Sequence, residues 1–119
     1  AVIPAGVDMF VGLVPIDLRW SFDRLAGLVE GQLGRQARSG ALFVFFGKRR
    51  DAIKILFFDG TGLCLFYKRL DALTFTLPDP AGGDGRCIEV RSHVLDELLD
   101  GVSVESKRRG VHKPKARMH

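Results

Sequence analysis

Histidine, cysteine and long apolar runs are scarce in this chain, and each scarcity closes a class of function. Of the three histidines, His93, His112 and His119, two fall in the last eight residues. A His-anchored zinc site or a Ser-His-Asp triad is therefore not expected. The two cysteines, Cys64 and Cys87, lack metal-ligand spacing, and Cys64 lies among apolar residues, where a thiol behaves as a small buried hydrophobe. Nothing in this cysteine usage suggests a disulfide framework or secretion. No apolar stretch reaches the roughly 18 residues of a membrane-spanning helix, and the first residues lack the charged-then-apolar layout of a signal peptide. A cytoplasmic chain with no membrane partner is the expectation. No glycine-rich phosphate-binding pattern precedes a helix. Asp17, Asp23 and Asp59 are the carboxylates best placed to gather magnesium as a nuclease would. Simpler roles serve all three: the first two at a helix start, the third in a turn. No catalytic residue, metal or cofactor is expected.

Phenylalanine and positive charge are what the chain does have. At 119 residues, 46% of them apolar, it has the size and composition of one globular domain. Nine residues are phenylalanine. The net charge of +4 is uneven. Residues 1–104 hold 12 Lys and Arg against 13 Asp and Glu, whereas residues 105–119 hold 6 against one. Within the body, residues 35–69 hold eight cations against only Asp51 and Asp59. A basic centre together with a basic end suggests a polyanionic partner.

The pattern predicts an α+β fold. Met9–Val14 reads as a strand ended by Pro15. Phe22, Leu25, Ala26, Val29 and Leu33 recur at helical spacing, which predicts a helix over 18–33, capped by Asp17 or Ser21. Three dense apolar runs follow, Leu42–Phe46, Ile53–Phe58 and Leu63–Tyr67. They are separated by a basic turn, Gly47–Asp51, and by Asp59-Gly60-Thr61-Gly62, a hairpin signal because glycine tolerates positive φ. These connections are too short for parallel crossovers, so the centre is a meander. Leu73–Leu77 alternates as a half-buried strand, Cys87–Val90 reads as a short strand, and Ser92 can cap a short C-terminal helix with Val94, Leu95, Leu98 and Leu99 on one side and Gly101 as its stop. The expectation is an antiparallel sheet of four to six strands, covered by an N-terminal and a short C-terminal helix. The domain is placed at 1–101, with a basic, mobile tail at 102–119.

In an up-down-up meander, the first turn and the end of the third strand share one sheet edge. Lys48, Arg49, Arg50, Lys68 and Arg69 are thus expected to be neighbours. Such a cluster suits phosphates, bound through charge-assisted hydrogen bonds; charged turns also keep hairpins soluble and guard edges. Lys54 interrupts an otherwise apolar strand and either snorkels to solvent or extends the patch. Arg19 is a further candidate. Its neighbour Trp20 is either a core anchor or an exposed contact for a protein partner. The phenylalanines read mainly as core. Both faces of the second run are largely apolar, so both need cover.

Several segments together carry a family resemblance: Asp17-Leu18-Arg19, Phe22-Asp23, Leu25-Ala26, Ser39-Gly40-x-Leu42-Phe43-Val44-Phe45, Arg49-Arg50, Ile53-Lys54-x-Leu56, Asp59-Gly60-x-Gly62-Leu63, Lys68-Arg69-Leu70 and Phe75-x-Leu77-Pro78. Their order and spacing resemble the small TnpB-type accessory proteins, products of the second open reading frame of bacterial insertion sequences of the IS-sixty-six class. The match covers about residues 7–100. Trp20 and Arg24 depart from it, standing where Lys and Gly are common. The resemblance implies a non-catalytic role in DNA transposition, beside a larger transposase that carries the catalytic carboxylates. It implies transposon-end DNA, the transposase and another accessory subunit as partners. RNA-guided nucleases that share the name TnpB are much longer and carry nuclease and zinc motifs this chain lacks.

Overall fold

Apolar residues on both sides of a strand leave no face that tolerates water, so the central strands demand cover above and below. The computed structural model, which describes residues 3–4, 6–76 and 87–90, meets that demand. Its elements are β1 (Met9–Gly12), α1 (Phe22–Gly31), β2 (Leu42–Phe46), β3 (Ala52–Phe58), β4 (Leu63–Arg69) and β5 (Cys87–Val90). The strands form one sheet in the order β4-β3-β2-β1-β5.

The expected meander is there. β2 pairs antiparallel with β3, and β3 with β4, the last from Ala52 opposite Arg69 to Phe58 opposite Leu63. The sheet is nevertheless mixed rather than antiparallel. β1 runs parallel to β2, with Met9 opposite Leu42, and antiparallel to β5. The physical reason lies in the connection. Residues 13–41 include a helix and are long enough for the crossover that parallel neighbours require.

One sheet face packs on α1. Leu25, Ala26 and Val29 of the helix join Phe10, Phe43, Phe45 and Leu56 of the sheet in one buried cluster. A ten-residue helix is marginal alone. Burial of each large apolar side chain, on the order of 2 kcal/mol, is what holds it. The opposite face buries Met9, Val11, Val44, Ile53, Ile55 and Phe57, with Phe75 packed among them.

Several boundaries differ from expectation. β1 stops at Gly12 instead of Val14, because Val14 turns out to solvent and Ile16 re-enters beside Gly47 as a parallel bridge. The helix begins at Phe22, not 18, since Asp17–Trp20 close a turn of their own through Trp20 N–H to the Asp17 carbonyl, 3.0 Å. Phe22 is 42% exposed rather than on the buried face. Ser21 is the N-cap residue, without a side-chain hydrogen bond. β4 runs two residues beyond Tyr67, to Arg69. Leu73–Thr76 forms no strand despite its alternation. Leu73 has φ 71°, incompatible with an extended chain, and Phe75 alone of this stretch is buried. The short C-terminal helix and the basic tail lie outside the described residues.

Candidate nucleic-acid interface

The basic turn is short, and the rest of the fold holds it from two sides. Arg50 N–H donates to the Gly47 carbonyl, 3.0 Å, closing the turn. Arg50 has φ 61°, a conformation that non-glycine residues rarely adopt. The carbonyls of Arg50 and Asp51 then accept from Phe75 N–H and Leu70 N–H, each at 2.7 Å. The segment after β4 thereby folds back against the turn and anchors itself through Phe75, whose ring meets Phe46 at 5.7 Å. On the other side Gly47 lies against Leu18: a β-carbon at 47 would stand 2.6 Å from Leu18 Cδ1.

This framing directs the cations. Lys48, Arg49 and Arg50 are exposed, as is Arg69, opposite Ala52 at the end of β4. Lys48, Arg49, Asp51 and Arg69 line a cleft of about 330 Å³ above Ile16 and Leu18. Among the described residues, no carboxylate stands within ion-pair distance of Lys48, Arg49, Arg50 or Lys68. The meander argument thus brings Lys48, Arg49 and Arg69 into one cleft. Lys68, expected in the same cluster, lies opposite Ile53 in the register and so, by the two-residue alternation of a strand, on the other face from Arg69. Arg50 neighbours the cleft without lining it.

Arg69 is also tied along its own strand. Its Nη2 donates to Tyr67 Oη, 3.0 Å, and this bond first, with the nearby Asp51 charge, raises the guanidinium pKa above its ordinary value.

Lys54 is not part of the surface. It is 6% exposed, and its ammonium donates to the carbonyls of Leu18, 2.7 Å, and Trp20, 2.6 Å. The same ammonium sits 4.9 Å from the Tyr67 ring centroid. A charge buried on the α1 face of the sheet is stable only with such partners. Lys54 clamps the segment before α1 onto β3 instead of standing among the exposed cations.

Arg19 stands in solvent, paired with Asp17 at 2.6 Å. The guanidinium's hydrogen bonds, with Arg19 N–H, hold the Asp17 carboxyl down at about 2. Trp20 is half-buried, with the Arg24 guanidinium 4.4 Å over its ring. It lines, with Val14, Pro15, Leu28 and Phe45, a groove of about 200 Å³.

Asp59 organises the other turn. Its Oδ1 accepts from Thr61 N–H, 2.9 Å, Gly62 N–H, 3.0 Å, and Thr61 Oγ1, 3.0 Å. The two backbone bonds, then the hydroxyl, pull its pKa to about 2. Cys64 beside it is pushed up, by burial first and by Asp59 second. Cys64 and Cys87 sit on opposite edge strands, with three strands between, so about 19 Å separates them and no disulfide joins them.

Sequence reasoning passed over Tyr67. The signal was present: counted in twos from Leu63, Tyr67 shares a face with Arg69. It also passed over Arg24 on Trp20 and over Arg35, whose guanidinium lies 3.9 Å over the Phe10 ring. The first pair stands four residues apart, the spacing of helix neighbours, whereas the Arg35 contact crosses between elements and no spacing foretold it. No helix among the described residues is long and apolar enough to cross a membrane.

The chain resembles proteins of one kind. The family described as IS66 Orf2 like protein matches residues 7–109. Two relatives from Sinorhizobium fredii carry the printed names uncharacterized protein y4hO and uncharacterized protein y4jC. The first is 35% identical over 102 residues, 84% of this chain and 86% of the relative. The second is 30% identical over 109 residues, 92% of each. No solved structure matches. The match over most of the chain, on the segments that build α1, the meander and both of its turns, makes this protein a member of the IS66 Orf2 like family.

Proposed function

We propose that the protein is a non-catalytic accessory factor in DNA transposition that holds DNA phosphates at the basic end of its sheet. The observation that carries this reading is the cleft of Lys48, Arg49 and Arg69, three cations beside the single carboxylate of Asp51, with no carboxylate within ion-pair distance of Lys48 or Arg49 among the described residues. Phosphate oxygens are the ligands such a cluster fits. Arg50 neighbours the cleft and extends the positive surface, whereas Lys68 stands on the other sheet face and Arg19 is paired with Asp17. Membership of an insertion-sequence family supports transposon ends as the DNA. Asp17 and Asp59, two of the carboxylates weighed for magnesium, are each engaged in a local turn.

The test is binding of the purified chain to transposon-end duplex and to random duplex across a salt series. The double variant Arg49→Glu/Arg50→Glu, shown by circular dichroism to be folded, is expected to bind at least tenfold more weakly. Its salt slope should be shallower by about two, because each lost phosphate contact removes roughly 0.9 from the slope. Unchanged affinity and slope would show that the cleft does not bind DNA.

A second reading has its own observation. The apolar groove beside Trp20, with Val14 61% exposed at its rim, suits an apolar side chain of a protein partner. Under this reading the protein docks on the transposase without touching DNA. Co-purification with the transposase from nuclease-treated extracts, lost on Trp20→Ala, supports it; DNA binding by the chain alone argues against it.

A further inference from the structure

The strands of this sheet place Phe43, Phe45 and Phe57 inside, all at most 2% exposed. Tyr67 differs: it is 48% exposed, on β4, the edge strand. An exposed aromatic ring that the core does not need is usually loose, but this one is held twice. One side of the ring rests over the Lys54 ammonium, 4.9 Å from the centroid, and that ammonium is itself immobilised by two carbonyls. The hydroxyl accepts from Arg69 Nη2 at 3.0 Å. Arg69 in turn lines the basic cleft with Lys48 and Arg49. The ring and the cleft are therefore one continuous surface, joined through a residue common to both. Tyr67 and Arg69 are two residues apart on one strand face, about 7 Å.

We propose that Tyr67 is a stacking platform and that, with the adjoining cations, it makes this surface a site for single-stranded DNA. A base lies on the ring face turned from Lys54, and the flanking phosphates are held by Arg69, Lys48 and Arg49. The assignment rests on the phosphate reading above and adds the form of the DNA. Bases in a duplex are stacked on one another, so their faces are closed to an aromatic side chain. An unpaired base has its face open, and stacking tolerates any sequence. A ring that is already ordered loses little freedom on binding, which favours affinity. The bare cations, by contrast, would serve duplex and single strand alike.

Fluorescence anisotropy of the full chain with labelled oligothymidine, oligouridine and a mixed-sequence duplex of equal length tests this. Tyr67→Ala is expected to weaken oligothymidine binding about tenfold, as loss of one stacked base does, and to leave duplex binding unchanged. Tyr67→Phe, which keeps the ring, should stay within about twofold of the native chain. Arg49→Glu should weaken both single strand and duplex. Three results overturn the stacking assignment: oligothymidine binding unaffected by Tyr67→Ala, equal loss on single strand and duplex, or equal loss in Tyr67→Ala and Tyr67→Phe. Tighter binding of oligouridine than oligothymidine overturns the assignment to DNA. If Tyr67→Ala acts as expected but Arg49→Glu changes neither ligand, the stacking stands and the phosphate reading fails.

Discussion

At the Asp59–Gly62 turn one carboxylate oxygen collects three hydrogen bonds from residues two and three places along the chain, and nothing distant is needed. At the Gly47–Asp51 turn the side chains do none of this. Its shape is set by Leu18 pressing on Gly47 from one side and by Leu70 and Phe75 bonding its carbonyls from the other. The two turns close the same meander, yet one is made by its own sequence and the other by the tertiary structure around it. The difference has a functional side. A turn that needs no side chain for its own stability leaves Lys48, Arg49 and Arg50 available for a ligand, while the carboxylate of Asp59 is committed.

The largest effect expected from breaking this contrast is at Phe75. Phe75→Ala removes a ring that is 1% exposed and is expected to destabilise by about 3–5 kcal/mol in denaturant unfolding. It should also loosen the basic turn, seen as faster amide exchange at Leu70. A loss below about 1 kcal/mol would mean that the fold-back after β4 is not what frames the turn. Lys54→Met comes next. The thioether fills similar volume, but two carbonyls lose charged donors, each such bond being worth about 1.5–3 kcal/mol. A loss of about 3 kcal/mol is expected; an unchanged unfolding midpoint would deny the clamp.

Gly47→Ala should cost about 1–2 kcal/mol as Leu18 is displaced. Its counterpart in the other turn, Gly62→Ala, meets nothing within 4 Å and should stay within about 0.5 kcal/mol of the native chain. Equal costs at the two glycines would erase the contrast. The smallest effect is a matter of pH. Asp59 titrates at 3.8 when unperturbed and at about 2 in the fold. A depressed carboxylate stabilises the folded state above its unfolded value and ceases to do so as pH falls through its folded value. The stability gap between native chain and Asp59→Ala should therefore be full above about pH 4 and vanish towards pH 2. A gap that persists at pH 2 would show that the charge is not the source.

Legibility in sequence followed the same division. The meander could be read because its signals are local: dense apolar runs, a turn with two glycines, connections too short to cross over. Cys87–Val90 was legible for the same reason. Leu73–Thr76 misled because its alternation is real, but the positive φ at Leu73 and the pull of Phe75 into the core override a period-2 pattern. The basic cleft was half legible. Strand direction brought Lys48, Arg49 and Arg69 to one end, while strand alternation, overlooked in that argument, sends Lys68 to the other face. Lys54 was the least legible. In sequence it is a cation in an apolar strand, and its two carbonyl partners lie 34 and 36 residues away.

Pattern along the chain was enough to establish the strands of the meander, the Asp59 turn, the surplus of positive charge at its centre and the family, because propensity, periodicity and motif order act over a few residues at a time. Packing alone decided that β1 runs parallel to β2, that Lys54 is an internal clamp, and that Tyr67 stands exposed beside Arg69. Each of those outcomes depends on which distant segments share a surface, and that is settled only when both faces of the sheet find their cover.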